Sequence, residues 1–263
     1  SVTAVEKTDI PGYTYAAGYS GEVKTGIIAA DGSLVLKLYY TPNDATLIYD
    51  VNGGDGAIDN GTGKVDQIIP ITTETPTKLG HTFEGWTAIN DGAVIYQGGD
   101  NYTLAAESNT LYAKWKKNQY TIEFDLNGGT GIDTEITGYY GDTIPWHPNP
   151  TREHYTFDGW YNKEDGAKFD TATTTTMPDL GIDGVSITLV AKWVPDSYNI
   201  VYKDADGSDL TVAGNPSSYT YETPDFTLKN PTKKGYTFKG WTGSNGNTAD
   251  TSVTVTKGST GNK

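Results

Sequence analysis

The stretch His154-Tyr155-Thr156-Phe157-Asp158-Gly159-Trp160 decides the fold, because it has counterparts on both sides. Gly80-His81-Thr82-Phe83-Glu84-Gly85-Trp86 precedes it, and Gly235-Tyr236-Thr237-Phe238-Lys239-Gly240-Trp241 follows it. Each copy comes after a proline-containing turn: Thr75-Pro76-Thr77, Asn149-Pro150-Thr151 and Asn230-Pro231-Thr232. Two copies are closed by Leu-x-Ala-Lys-Trp, at Leu111 to Trp115 and Leu189 to Trp193. A repeat of about 75–80 residues marks an array of small modules rather than one large domain.

Working outward, Ala45 to Val51 and Tyr120 to Leu126 read as first strands, and both end in Asn-Gly-Gly (Asn52 to Gly54, Asn127 to Gly129). That turn favours left-handed backbone. Second strands are expected near Lys64 to Ile71, Glu135 to Ile144 and Tyr219 to Leu228, and third strands within the Thr-Phe-x-Gly-Trp phrases. In the last module Tyr198 to Lys203 opens the plan and Asp204-Ala205-Asp206-Gly207 replaces Asn-Gly-Gly. The boundaries are then 43–117, 118–195 and 196–263, the last truncated before its closing strand. Residues 1–42 form a separate piece in which Ser33 to Tyr40 reads as a strand. Helix signals are confined to single turns at Leu104-Ala105-Ala106-Glu107 and Met177-Pro178-Asp179-Leu180. The class expected is α+β, predominantly β. Links of two to four residues between modules are too short to act as flexible coil, which predicts an elongated rod.

Composition narrows the function. The chain has 263 residues, a net charge of −14 and no cysteine. Phosphate binding needs clustered Lys and Arg, so nucleic acid is a poor partner. Disulfides and thiolate metal sites are excluded. No stretch reaches the roughly 18 apolar residues of a membrane span, and neither a signal peptide nor an anchor signal is legible. The chain therefore reads as a segment of something longer, with any export signal outside it.

These phrases together resemble the Listeria–Bacteroides repeat, also called the internalin B-repeat. The middle module matches throughout: Asn127, Gly128, Gly129, Gly141, Pro150, Thr151, Tyr155, Phe157, Gly159, Trp160, Tyr161, Ala191, Lys192 and Trp193. The first departs by an insertion after Gly54 and by His81; the third departs at its first turn and at its end. Residues 1–42 resemble the end of a mucin-binding-protein-type repeat, through Gly12-Tyr13 and Asp31 to Tyr40. The resemblance implies β-grasp-like (ubiquitin-like) modules displayed on the bacterial cell surface or cell wall, between a functional head and an anchor. It implies a stalk region of an adhesin, with contacts to host proteins or glycans.

The Gly-Trp pairs read as module cores, because each small module needs a large anchor. Trp146, with Tyr139 and Tyr140, is the candidate ligand-binding set, since Trp146 falls outside the shared tryptophan positions. Asp204, Asp206 and Asp209 resemble the start of a calcium loop but lack the downstream bidentate Glu. His81, His147 and His154 have no metal-ligand spacing. The run Thr171 to Thr176 reads as an extended loop. No nucleophile–base pair or phosphate loop occurs, so no catalytic residue, metal or cofactor is expected. Incomplete modules at the two ends would leave open sheet edges, and exposed edges invite end-to-end self-association.

Overall fold

The computed structural model describes all 263 residues, and its regular structure is entirely β. The N-terminal piece contains β1 (Val2–Thr3), β2 (Tyr13–Tyr15), β3 (Thr25–Gly26) and β4 (Tyr40–Pro42). The pairs β1–β3 and β2–β4 are both antiparallel. Next come β5 (Asp44–Asp50), β6 (Gly61–Lys64), β7 (Ile68–Pro70), β8 (His81–Thr87), β9 (Asn101–Thr103) and β10 (Thr110–Lys117). Four of these form a sheet in the order β6-β5-β10-β8. Its first and last strands, β5 and β10, run parallel as neighbours, while β8 lies antiparallel to β10.

The plan recurs in β11 (Gln119–Asp125), β12 (Glu135–Tyr139), β13 (Tyr155–Asn162), β14 (Lys168–Phe169) and β15 (Ser186–Pro195), ordered β12-β11-β15-β13-β14. Again the first and last strands, β11 and β15, pair in parallel. The remaining strands are β16 (Ser197–Asn199), β17 (Ser218–Thr220), β18 (Phe226–Thr227), β19 (Trp241–Gly243), β20 (Gly246–Asp250) and β21 (Thr254–Val255). These form three separate antiparallel pairs: β16–β17, β19–β20 and β18–β21. By packing, the chain resolves into two compact units. One comprises Ser1–Tyr120, Gly138–Asp142 and Thr176–Val185; the other comprises Thr121–Thr137, Thr143–Thr175 and Ser186–Lys263.

The cores follow the pleat. Alternation along β5 buries Leu47 and Tyr49, which meet Trp86, Leu104, Leu111 and Ala113. In the second unit Ile122, Phe124, Trp160, Leu189 and Ala191 are buried at the matching places. The Phe-x-Gly-Trp phrase has a specific logic. Phe83 and Trp86 are three positions apart, so a regular strand would send them to opposite faces. Pairing with β10 instead slips by one residue, Lys114 opposite Gly85 and Trp115 opposite Phe83. This is a β-bulge, and it reverses the alternation. Gly85 occupies φ 133° there, and Gly159 φ 146° at the same slip in β13. Such backbone favours glycine. The bulge brings Phe83 to 5.2 Å from Trp86 and Phe157 to 5.3 Å from Trp160, edge to face.

The closing tryptophan completes the cluster. Trp115 lies 5.6 Å from Phe83 and donates its indole N–H to the Val51 carbonyl at 3.0 Å. Trp193 donates to Leu126 at 3.1 Å. The Asn-Gly-Gly asparagines reach the same strand from the other side: Asn52 and Asn127 donate to the carbonyls of Ala113 and Ala191, each at 3.1 Å. Two phrases more than sixty residues apart are thus parts of one hydrogen-bonded corner.

Several expectations need correction. The helical component of the α+β class is absent. The backbone of Leu104 is committed to Gln67 and Asp66, and that of Met177 to Asp142 and Gly141, so neither can close a helical turn. Ser33 to Tyr40 is not a continuous strand: Lys37 makes one bridge to Val23, and regular pairing begins at Tyr40. Strand propensity without a neighbouring ladder is insufficient, and Val35 stays 60% exposed. The second strand of the first repeat is split into β6 and β7, and Tyr219 to Leu228 is split into β17 and β18. Tyr236 to Gly240 is not strand, because no neighbour takes the place that β10 holds beside β8.

Candidate functional site

The most elaborate polar constellation is one that recurs at the turns between repeats. At the first, Asn118 donates its backbone N–H to Gly80 (2.9 Å), and its carbonyl accepts from the Tyr140 N–H (2.9 Å). Its side-chain oxygen accepts from the Thr82 hydroxyl at 2.6 Å, and its amide nitrogen donates to the Tyr120 hydroxyl at 3.1 Å. Asn118 is 1% exposed, so these bonds satisfy a buried polar group. Asp196 repeats the pattern with His154, Tyr221 and Thr156. Asn43 repeats it with Gly12, Val65 and Thr14. One residue thus ties the start of a Gly/His-Tyr/His-Thr strand to the strand edge that follows it. We term this arrangement a clasp.

Aromatic contacts and charges flank each clasp. Tyr140 packs beside Gly80 and edge-on to His81 at 6.1 Å; the His154 ring stacks on Tyr221 at 4.5 Å. Tyr155 donates to Glu222 at 2.7 Å, which raises the tyrosine pKa, and lies under the Arg152 guanidinium at 3.9 Å. Around Asn118, Lys117 pairs with Asp142 at 2.7 Å and Lys116 with Asp183 at 2.5 Å. Each lysine holds its partner's pKa below the usual carboxylate value. Asp179 is lowered by the Tyr120 hydroxyl and the Gly181 N–H. In this first clasp, then, charge is matched around a buried amide.

The residues singled out from sequence are not gathered into one site. Tyr139 is 45% exposed, while Tyr140 is half-buried in the clasp. Trp146 is half-buried: its indole N–H bonds the Thr174 carbonyl at 2.8 Å, and its ring meets Phe124 and Phe169 edge to face. Asp204 pairs with Lys233 at 2.8 Å, Asp206 accepts from Ser208, and Asp209 pairs with Lys203. Cations of the chain itself thus engage two of the three carboxylates. His81 faces the Leu79 carbonyl, and His147 packs against Phe124. No group of three or more His, Cys, Asp or Glu converges. No helix is long and apolar enough to cross a membrane.

Sequence reasoning missed the clasp residues: Asn118 and Asp196 read as linker, and Asn43 as the first residue of a module. The available signal was the tripeptide Gly12-Tyr13-Thr14, a fourth copy of the start of the phrase, with a lone Asn or Asp just beyond each closing strand.

The comparison with known proteins agrees with the repeat. The Listeria-Bacteroides repeat domain matches three times, at residues 46–114, 120–192 and 198–263. A putative Gly-rich membrane protein of Evansella cellulosilytica is 31% identical over 219 residues, 76% of this chain and 24% of that protein. A second putative membrane protein of that organism is 33% identical over 172 residues, 63% of this chain and 24% of its own length. Internalin H of Listeria monocytogenes is 34% identical over 129 residues, 49% of this chain and 22% of its own. The chain spans about a quarter of the length of these curated relatives. With the three matches covering most of its residues, the chain belongs to the Listeria-Bacteroides repeat domain family.

Proposed function

We propose that this chain is a stalk or spacer in a bacterial surface adhesin, holding another domain away from the cell and adding contacts to host proteins or glycans. The modules are 43–117, 118–195 and 196–263, each built on a β-grasp-like plan, preceded by a mucin-binding-like piece at 1–42. The observation that carries the reading is the clasp. A linker whose backbone and side chain are bonded on both sides cannot swivel freely, which suits a rod better than beads on a string. Relatives named as membrane proteins and an internalin support an extracellular, surface-attached and non-enzymatic setting.

Small-angle X-ray scattering tests the rod. A compact protein of this length has a radius of gyration of about 18 Å. The spacer reading expects a clearly larger value and a rod-like cross-section regime; a compact value would refute it. Host contact is read separately on a glycan array and on host-cell lysate, with Trp146→Ala and Tyr139→Ala as controls. Binding lost in these variants would place recognition on those rings; no binding leaves spacing as the role. Self-association is proposed through β16, whose outer side is bonded at Asn199 to Lys263 and the Asn262 side chain and is not covered by a strand. Light scattering over a concentration series tests it, and a constant monomer mass would exclude it.

A further inference from the structure

The pairing of first with last strand gives the chain a mechanical property. In the second repeat β11 and β15 are parallel neighbours, registered from Thr121 opposite Ser186 to Asp125 opposite Val190. Tension applied along the chain enters at the start of β11 and leaves at the end of β15. The two strands are then drawn in opposite directions along their own axes. Their ladder is loaded in shear, so its hydrogen bonds must fail together. An antiparallel hairpin pulled at its open end gives way one bond at a time.

We infer that the β5–β10 and β11–β15 pairs are shear clamps that let this chain bear tensile load. The inference rests on the spacer reading and extends it from distance to force. Side chains lengthen each clamp beyond its backbone ladder. Asn127 to Ala191 and Trp193 to Leu126 bridge the strand ends in the second repeat, as Asn52 to Ala113 and Trp115 to Val51 do in the first. The second clamp is the longer. Its register runs over five residues of β11, with the Thr188 hydroxyl bonded to Glu123 at 3.2 Å, whereas β5 and β10 are registered only from Ile48–Thr110 to Asp50–Tyr112. In the third repeat, residues 198–263, only two residues stand beside the first strand in place of a closing strand: Lys263, bonded to Asn199 and Val201, and Asn262, whose side-chain oxygen accepts from the Asn199 N–H. The predicted order of yielding under load is third repeat, then first, then second.

Single-molecule force spectroscopy on the whole chain, held by its two ends, tests this. The absence of native cysteine allows handles at chosen positions. Two well-resolved events, each lengthening the chain by about 20–25 nm, are expected after the low-force opening of residues 1–42 and of the third repeat. Asn127→Ala should lower the highest-force event and leave the other unchanged. In the second geometry, handles at Gln119→Cys and Ser186→Cys pull on the same end of the β11–β15 pair and unzip it. The unfolding force there should be about twofold or more below the end-to-end value. Equal forces in the two geometries would overturn the clamp. So would an end-to-end trace with no event above the opening force of the third repeat, which needs no substitution to observe. A rod-like scattering profile with either result would leave the spacer reading standing and remove only its load-bearing role.

Discussion

Gly80 and His154 hold the same place in successive repeats, and both adopt φ 65°. Their surroundings explain why the residue types differ. The imidazole of His154 stacks on Tyr221, a contact that helps offset the left-handed backbone. At Gly80 the Tyr140 ring sits where a β-carbon would be. Gly80→Ala therefore adds a steric clash to left-handed strain, and should cost on the order of 2 kcal/mol or more. Denaturant unfolding measures the loss. On a Tyr140→Ala background the same substitution should cost only the backbone share, about 1 kcal/mol. The same loss of about 1 kcal/mol with and without the Tyr140 ring would show that Tyr140 does not pack there. Trp146 teaches a related lesson. It stands outside the repeated tryptophans, yet Phe124, Phe169 and the Thr174 carbonyl give it packing partners. Unrepeated does not mean unpacked.

At the scale of elements, the strands of the first two repeats were legible because alternation, Asn-Gly-Gly and the Gly-Trp phrase all point one way. What joins them was not. The clasp depends on single polar residues whose meaning comes from register, and a lone Asn between strands has no sequence period. The phrase itself was legible as core, but the bulge that lets Phe83 and Trp86 share a face needed the observed slip against β10. Ser33 to Tyr40 failed for the converse reason: it has strand composition but no partner strand. The clasps also differ in strength. Asn118 is buried with a 2.6 Å bond from Thr82, whereas the Thr156 to Asp196 bond is 3.1 Å and exposed. Asn118→Ala should thus cost about 1–3 kcal/mol and Asp196→Ala less, because only the former removes a buried amide bonded to the buried Tyr120. Hydrogen exchange gives the local readout. The Tyr140 amide, donated to Asn118, should lose protection in Asn118→Ala, and the Tyr221 amide should lose less in Asp196→Ala. The reverse order would mean that the linkers are held by packing rather than by these bonds.

For the whole molecule, acid is the informative variable. The chain carries a net charge of −14, so mild acidification relieves self-repulsion. Against this, Asp142, Asp158, Asp179, Asp183 and Asp204 all have lowered pKa values, through hydrogen bonds from Lys117, Tyr161, Tyr120, Lys116 and Lys233 respectively. A carboxyl with a lower pKa folded than unfolded binds fewer protons when folded. Its contribution is complete above the unfolded value, near 3.9, and is lost as pH falls through the folded one. Melting temperature should accordingly be level or slightly raised between pH 7 and 5, and should fall steeply below about pH 4. Salt separates the contributions. Lys116–Asp183 and Lys117–Asp142 are solvent-exposed pairs and will be largely screened, while the Tyr120 to Asp179 bond, made at 2.6 Å beside the buried Asn118, will not. Calorimetry at high salt should retain part of the acid transition, and Asp179→Asn should reduce that retained part. A melting temperature constant down to pH 3 would show that these carboxylates do not stabilise the fold.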